Sequence, residues 1–349
     1  MSAGSEFAQV TKDSFRTRLI AVFAVIGVGN LAAWAWALAA FADQPILLGT
    51  AGLAFSLGLR HGLDADHIAA IDNVTRKLMQ ENKRPVAVGF FFALGHSAVL
   101  LLASLAVAFA ANSLLVRLAE YRDVGAVVGT LASTLFLVAI AIANVAVLSR
   151  VVRALLRAKR GEQVRDEDID ALLQQQGWLA RWFRPLFRLI GSSWHLFPLG
   201  FLFALGFETA SEVSLFGLAA ETAQKVSTSS ILVFPALFAA GMTLVDTLDG
   251  VLMLGAYGWA YRNPQRKLLY NASITALSVA LAFVIAGVEA SGLLVEHFRL
   301  QGAVWDGIVG LNAGFGTLGF GIVVLFVVCW VASVVLFHTT SNVRGNERA

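Results

Sequence analysis

Charge is scarce in this 349-residue chain: Asp, Glu, Lys and Arg together make up 14% of it, against 58% hydrophobic residues and a mean hydropathy of +0.73. Soluble domains carry about 25% charged residues, so a water-soluble globular fold is excluded and a bilayer is the expected solvent. Apolar runs recur along the whole length, which leaves no stretch long enough for a separate soluble domain. Cysteine is nearly absent. The single Cys329 lies in an apolar run, which rules out an intramolecular disulfide and a thiolate cluster for a soft metal, and gives the thiol a packing role. The first apolar run, Leu19 to Phe41, is too long for a signal-peptide core and has no small-residue cleavage site, so it reads as a retained span. No Gly-x-x-x-x-Gly-Lys-Ser/Thr motif occurs; ATP would have to come from another subunit, and none is required.

What is present is a series of about eight apolar spans, near residues 19 to 41, 46 to 72, 86 to 111, 124 to 148, 195 to 220, 231 to 259, 269 to 293 and 317 to 337, each of about 17–25 residues as a membrane helix requires. The expected fold is all-α, one transmembrane domain over residues 1–349. The net charge of +3 does not point to nucleic acid, because the cations gather in alternate loops. Lys12, Arg16 and Arg18 precede the first span, Arg76, Lys77, Lys83 and Arg84 follow the second, and Arg150, Arg153, Arg157, Lys159 and Arg160 follow the fourth. Arg262, Arg266 and Lys267 follow the sixth, while the intervening loops hold scattered cations such as Arg117, Arg122, Lys225 and Arg299. Every second loop, and both termini, are therefore expected in the cytoplasm. The longest cytoplasmic connection, residues 149–193, ends in a stretch with Trp178, Trp182 and Phe183 that fits a helix lying on the membrane.

The chemistry concentrates in the second span, in Gly58-Leu59-Arg60-His61-Gly62-Leu63-Asp64-Ala65-Asp66-His67-Ile68-Ala69-Ala70-Ile71-Asp72-Asn73. An ionised Asp or Arg at a helix centre costs about 2.5–3.5 kcal/mol on insertion scales, so several together need partners, water or a bound cation. At about 100° per residue, His61, Asp64 and His67 fall within roughly 120° of one another and Asp72 lies near His61. That face carries two imidazoles and two carboxylates, a donor set suited to a late first-row metal rather than to Mg²⁺ or Ca²⁺. Asp66 points about 140° from His61 in a regular helix. It serves another helix, pairs with Arg60, or is brought round by unwinding at Gly62, as in the discontinuous helices of transporters. The bland alternative pairs Arg60 with one Asp and leaves the histidines as interhelical hydrogen-bonders.

Other spans supply further polar groups: Asn30 in the first, Gly95-His96-Ser97 in the third, Glu208, Thr209 and Glu212 in the fifth, and Asp246, Thr247 and Asp249 in the sixth. Glu208 and Glu212 share a face at i,i+4, and Asp246 and Asp249 at i,i+3. Small residues beside each let helices approach closely, so these groups are expected to wall an ion pathway or relay protons. His96 and Asn30, each alone, fit an interhelical hydrogen bond as well.

The sequence resembles the nickel/cobalt permeases known as NiCoT transporters, whose second span carries His, four residues, then Asp-His. His61, Asp66 and His67 match that motif, and the resemblance continues in Leu94-Gly95-His96-Ser97, Leu205-Gly206-Phe207-Glu208-Thr209-Ala210-Ser211-Glu212 and Gly241-Met242-Thr243-Leu244-Val245-Asp246-Thr247-Leu248-Asp249. It looks especially like the hydrogenase-associated high-affinity nickel permeases. The resemblance implies an eight-span secondary transporter importing Ni²⁺, in some members also Co²⁺, as cargo rather than cofactor. The candidate metal residues are His61, Asp64, Asp66, His67 and His96; the family motif of the second span covers His61, Asp66 and His67, the helix face favours Asp64 beside the two histidines, and Leu63 stands at a position the family ties to metal choice. Two features depart from the family pattern. Glu208 and Ser211 stand where the family has Asp and Thr, and Leu63 where relatives have Val or Phe. A metal exporter of related architecture and a membrane-embedded metalloenzyme are the competing readings. The first usually carries a His-rich loop, and the second needs more ligands than six scattered histidines provide.

Overall fold

The computed structural model describes residues 3–81, 83–109, 112–160, 190–205, 228–260, 264–314, 317–326, 328, 329 and 331. Among them there is no strand; the protein is all-α. Among the described residues the helices of eight residues or more are α1 (Ala3–Phe41), α2 (Pro45–His61), α3 (Ala65–Gln80), α4 (Val88–Phe109), α5 (Asn112–Lys159), α6 (Leu196–Phe203), α7 (Val233–Ala260), α8 (Pro264–Phe298), α9 (Ala303–Ala313) and α10 (Thr317–Phe326). Among the described residues, four apolar segments are long enough to cross a membrane, Phe15–Phe41, Val88–Leu105, Val233–Gly258 and Ala272–Phe298, and α2 with α3 makes a fifth that is bent by 51°. The expected fourth span lies inside α5, whose apolar part, Val127–Ile142, is short by itself. The expected fifth and eighth spans run into residues outside those described, as do Glu208, Thr209, Glu212 and the Trp178–Phe183 stretch. α5 also continues through Ser149 to Lys159, so the connection expected from residue 149 begins with about three turns of helix.

The broken span follows from its sequence. Pro45 opens α2 where its missing N–H costs nothing. Gly62 and Leu63 close its end with tightened turns, their amides reaching Gly58, Arg60 and, through Asp64, His61. Asp64 is then extended (φ −67°, ψ 145°) and starts α3. A polar helix in a membrane must be shielded by protein, and α3 is: Asp72, Asn73, Thr75 and Arg76 are all buried. α1 sits at the periphery and turns Val25, Val28 and Leu31 outward, as a lipid-facing helix should.

Glycine sets the spacing of the bundle. A β-carbon on Gly58 of α2 would fall on the backbone of Phe238 in α7, and one on Gly241 would come within 2.6 Å of the Phe55 carbonyl. Gly95 and Gly200 join α4 to α6 in the same reciprocal way, against Phe197 and Phe92. Such contacts bring backbones together where lipid gives no hydrophobic drive. Two apolar clusters result. One gathers α1, α2, α4 and α7 around Phe41, Phe234 and Phe238; the other gathers α3, α4, α5, α6, α7, α8 and α10 around Ile68, Ile71, Phe92 and Tyr257.

Candidate metal centre

At the seam between the two clusters lie three histidines from three helices. His61 ends α2, His67 lies in the first turn of α3, and His96 stands in the middle of α4. They are 5%, 0% and 3% exposed. Their ring centroids form a nearly equilateral triangle with sides of 4.8, 4.8 and 4.7 Å, and one nitrogen from each falls within 4.8 Å of the other two. A metal–imidazole bond of about 2.0–2.1 Å puts ligand nitrogens about 3–4 Å apart; His61 Nε2 and His96 Nε2 are 3.0 Å apart. Phe238 flanks His61 at 5.4 Å and Phe92 flanks His67 at 4.8 Å between centroids, so the triangle has apolar walls.

Two carboxylates hold two of these rings from behind. Asp64 Oδ2 is 2.9 Å from His61 Nδ1, and both oxygens of Asp246 are 3.3 Å from His67 Nδ1. In each case Nδ1 is engaged and Nε2 is left for the cluster; His67 Nε2 has no hydrogen-bond partner in the protein. This is the carboxylate–histidine pairing that fixes tautomer and raises ligand basicity around metals. The break at Gly62–Asp64 produces the first pair, because the extended Asp64 folds its side chain back across the turn to His61. Close helix contact produces the second: a β-carbon on Gly89 would strike the Asp246 carbonyl, and one on Gly62 would meet Val245 and the Asp246 side chain.

The remaining residues singled out in the sequence distribute around this centre. Asp66 is half-buried and outside the triangle, within electrostatic reach of His67 and Asp246. Arg60 is exposed, and Leu63 is half-buried on the break. Asn30 donates to the carbonyls of Ile26 and Ala240, tying α1 to α7. Asp72 lies apart from His61, accepting hydrogen bonds from Tyr257 Oη at 2.6 Å and Ser278 Oγ at 2.8 Å. Asp249 is buried with neither oxygen hydrogen-bonded, in electrostatic reach of both Asp72 and Asp246. The carboxylates thus continue from the triangle along α7 toward α3 and α8.

Sequence reasoning gave no role to Asn144 or Glu289 and read Arg76 as a cation of the loop after the second span, whereas α3 runs on to Gln80 and buries it. Asn73 Oδ1 accepts from Arg76 and from Asn144 of α5 at 2.5 and 2.6 Å. Arg76 is 1% exposed, and its Nη1 has no partner. Glu289, a carboxylate within the seventh apolar run, is buried against Ser133 and Thr134. Its position inside an apolar run was a visible signal.

The family described as high-affinity nickel-transport protein matches residues 47–336. A high-affinity nickel transport protein of Cupriavidus necator is 53% identical over 324 residues, covering 93% of this chain and 92% of that protein. The hydrogenase nickel incorporation protein HupN of Bradyrhizobium diazoefficiens is 46% identical over 91% of this chain and 83% of its own length. The cobalt transport protein NhlF of Rhodococcus rhodochrous is 37% identical over 84% of this chain and 83% of its own. No solved structure matches the chain.

Proposed function

Since the chain belongs to the high-affinity nickel-transport family, and is therefore a multi-pass membrane transporter of nickel rather than an enzyme, we propose that it imports Ni²⁺ through the His61–His67–His96 triangle. The observation that carries this reading is the convergence of three buried imidazoles from three helices on one point. Neutral imidazole nitrogen suits Ni²⁺ and its neighbours in the first transition row. Three protein donors leave the other positions of an octahedral ion to water, so the cargo can leave again.

In this reading Asp64 and Asp246 orient the ligands and balance charge. Asp66, exposed on one side, meets the hydrated ion, while Asp249 and Asp72 receive it beyond the triangle, with Glu208, Thr209 and Glu212 of the fifth-span motif and Arg60 contributing to the pathway. Leu63, on the break between two ligands, tunes the fit of the ion. Nickel enters a bacterial cell across its inner membrane, and both termini and residues 149–193 face the cytoplasm, as the loop charges indicate. An inward-negative potential favours entry of a divalent ion by about 4.6 kcal/mol per 100 mV, which dispenses with an ATPase subunit. Co²⁺ is the second cargo, supported by the same donor chemistry and by the cobalt-transport relative.

Radioactive nickel accumulation in vesicles containing the protein tests this. Uptake should exceed that of empty vesicles, rise with an inside-negative potential, and be reduced by Co²⁺ far more than by Mn²⁺, which imidazole binds weakly. Equal accumulation with and without the protein would overturn the proposal. Asp246→Ala should weaken equilibrium nickel binding roughly 10–100-fold, the usual cost of losing a carboxylate behind a ligating histidine.

A further inference from the structure

Glu289 plays no part in the pathway just described, yet it is an acid in the middle of a membrane helix. It lies nine residues before the end of the apolar segment Ala272–Phe298, about 13 Å along the helix, and is 6% exposed. No Lys, Arg or His among the described residues pairs with it as a salt bridge. Intramembrane carboxylates without a countercharge are costly, and they mark ion or proton sites.

We propose that Glu289, with Ser133 and Thr134, is a proton site whose occupancy alternates as nickel is transported; this rests on the transport reading above. Ser133 Oγ is 2.5 Å and Thr134 Oγ1 2.9 Å from the same carboxylate oxygen, Oε2. Ser133 Oγ is also 3.2 Å from the Thr130 carbonyl. These three partners satisfy the acid in both of its states. When Glu289 is ionised, both hydroxyls donate to Oε2. When a proton from water binds Oε2, that O–H donates to Ser133 Oγ, and the Ser133 hydroxyl hydrogen turns to the Thr130 carbonyl. A hydroxyl rotor accomplishes the exchange with no helix movement and no bond broken other than the O–H that the proton leaves. The short hydroxyl–carboxylate distances leave no space between them for a metal ion, which needs about 2 Å or more to each oxygen. The ligand of this site is therefore a proton rather than nickel.

Among the described residues, the ionisable group within electrostatic reach of Glu289 is Asp66 on α3, which is also in reach of His67. Asp66 thereby links the proton site to the metal triangle, and the α5 side of the site offers hydroxyls and carbonyls only at the positions that touch it.

Glu289→Gln separates a proton site from a simple brace between α5 and α8, because glutamine keeps an oxygen to accept both hydroxyls and cannot be ionised. The experiment uses proteoliposomes with the membrane potential clamped, nickel entry read by an internal dye, and a pH gradient imposed or withheld. The parent rate should change severalfold with the gradient. E289Q should bind nickel at equilibrium as the parent does and lose the response. Ser133→Ala, which removes the rotor, should shift the pH at which the response is half-maximal, and it serves as the test if E289Q does not reach the membrane. A parent indifferent to the gradient, an E289Q rate that responds like the parent, or an S133A midpoint at the parental pH overturns the proposal. Absence of nickel entry in the parent under every gradient sinks the transport reading, and this proposal with it.

Discussion

His96→Ala is expected to weaken nickel binding by more than the roughly 10–100-fold that losing an outer partner of a metal ligand costs, and to abolish accumulation at low external nickel. Two nitrogens would remain where three converge. Asp66→Asn is the informative contrast. Asp66 sits outside the triangle and is half-buried, so its neutralisation should weaken equilibrium binding far less, although it belongs to the second-span motif and His96 does not. Calorimetric titration of nickel into the purified variants, at equal folded protein, reads both. Equal losses for the two variants would mean that the imidazole triangle is not the binding site.

The second large effect is expected at Gly89. A side chain there has no rotamer that avoids the Asp246 carbonyl, because the β-carbon itself collides with backbone. Gly89→Leu should therefore force α4 and α7 apart at a cost of about 3 kcal/mol, the upper end of the usual overpacking range. Since Asp246 holds His67, the variant that still folds should also lose nickel affinity. Gly27→Leu is the control. Nothing lies within 4 Å of a β-carbon at Gly27, and the residue is on the exposed side of α1. Thermal unfolding in detergent should separate the two variants clearly; matched unfolding temperatures would remove glycine spacing as the determinant of the site.

Much of this was legible beforehand, and the reasons for the rest are physical. Composition requires a bilayer, and the crowding of polar residues around Gly62 requires a break, since no continuous lipid-facing helix tolerates them. A helical wheel drawn through residues 61–72 nevertheless misplaces the carboxylates. The turn at Gly62–Asp64 resets the helical phase, so Asp64 reaches His61 from an extended backbone and Asp72 finds Tyr257 and Ser278 instead. The partnership of His67 with Asp246 spans 179 residues, and that of His61 with His96 crosses to another helix. No local periodicity encodes such contacts; helix packing through glycine decides them. α9 was missed because Ala303–Ala313 is apolar but too short to be a span.

The last helix described, α10, carries a further consequence. A β-carbon on its Gly319 would overlap the carbonyl of Leu63 and come within 3.0 Å of the Ala65 nitrogen, so α10 lies directly on the turn between His61 and His67. That turn is made more than 250 residues before its neighbour. While a nascent chain emerges from its N-terminus at roughly 5–20 residues per second, the histidines of α2, α3 and α4 wait on the order of ten seconds for the surface that steadies them. Biosynthesis therefore leaves the turn between His61 and His67 without its α10 cover until long after α2, α3 and α4 have been made.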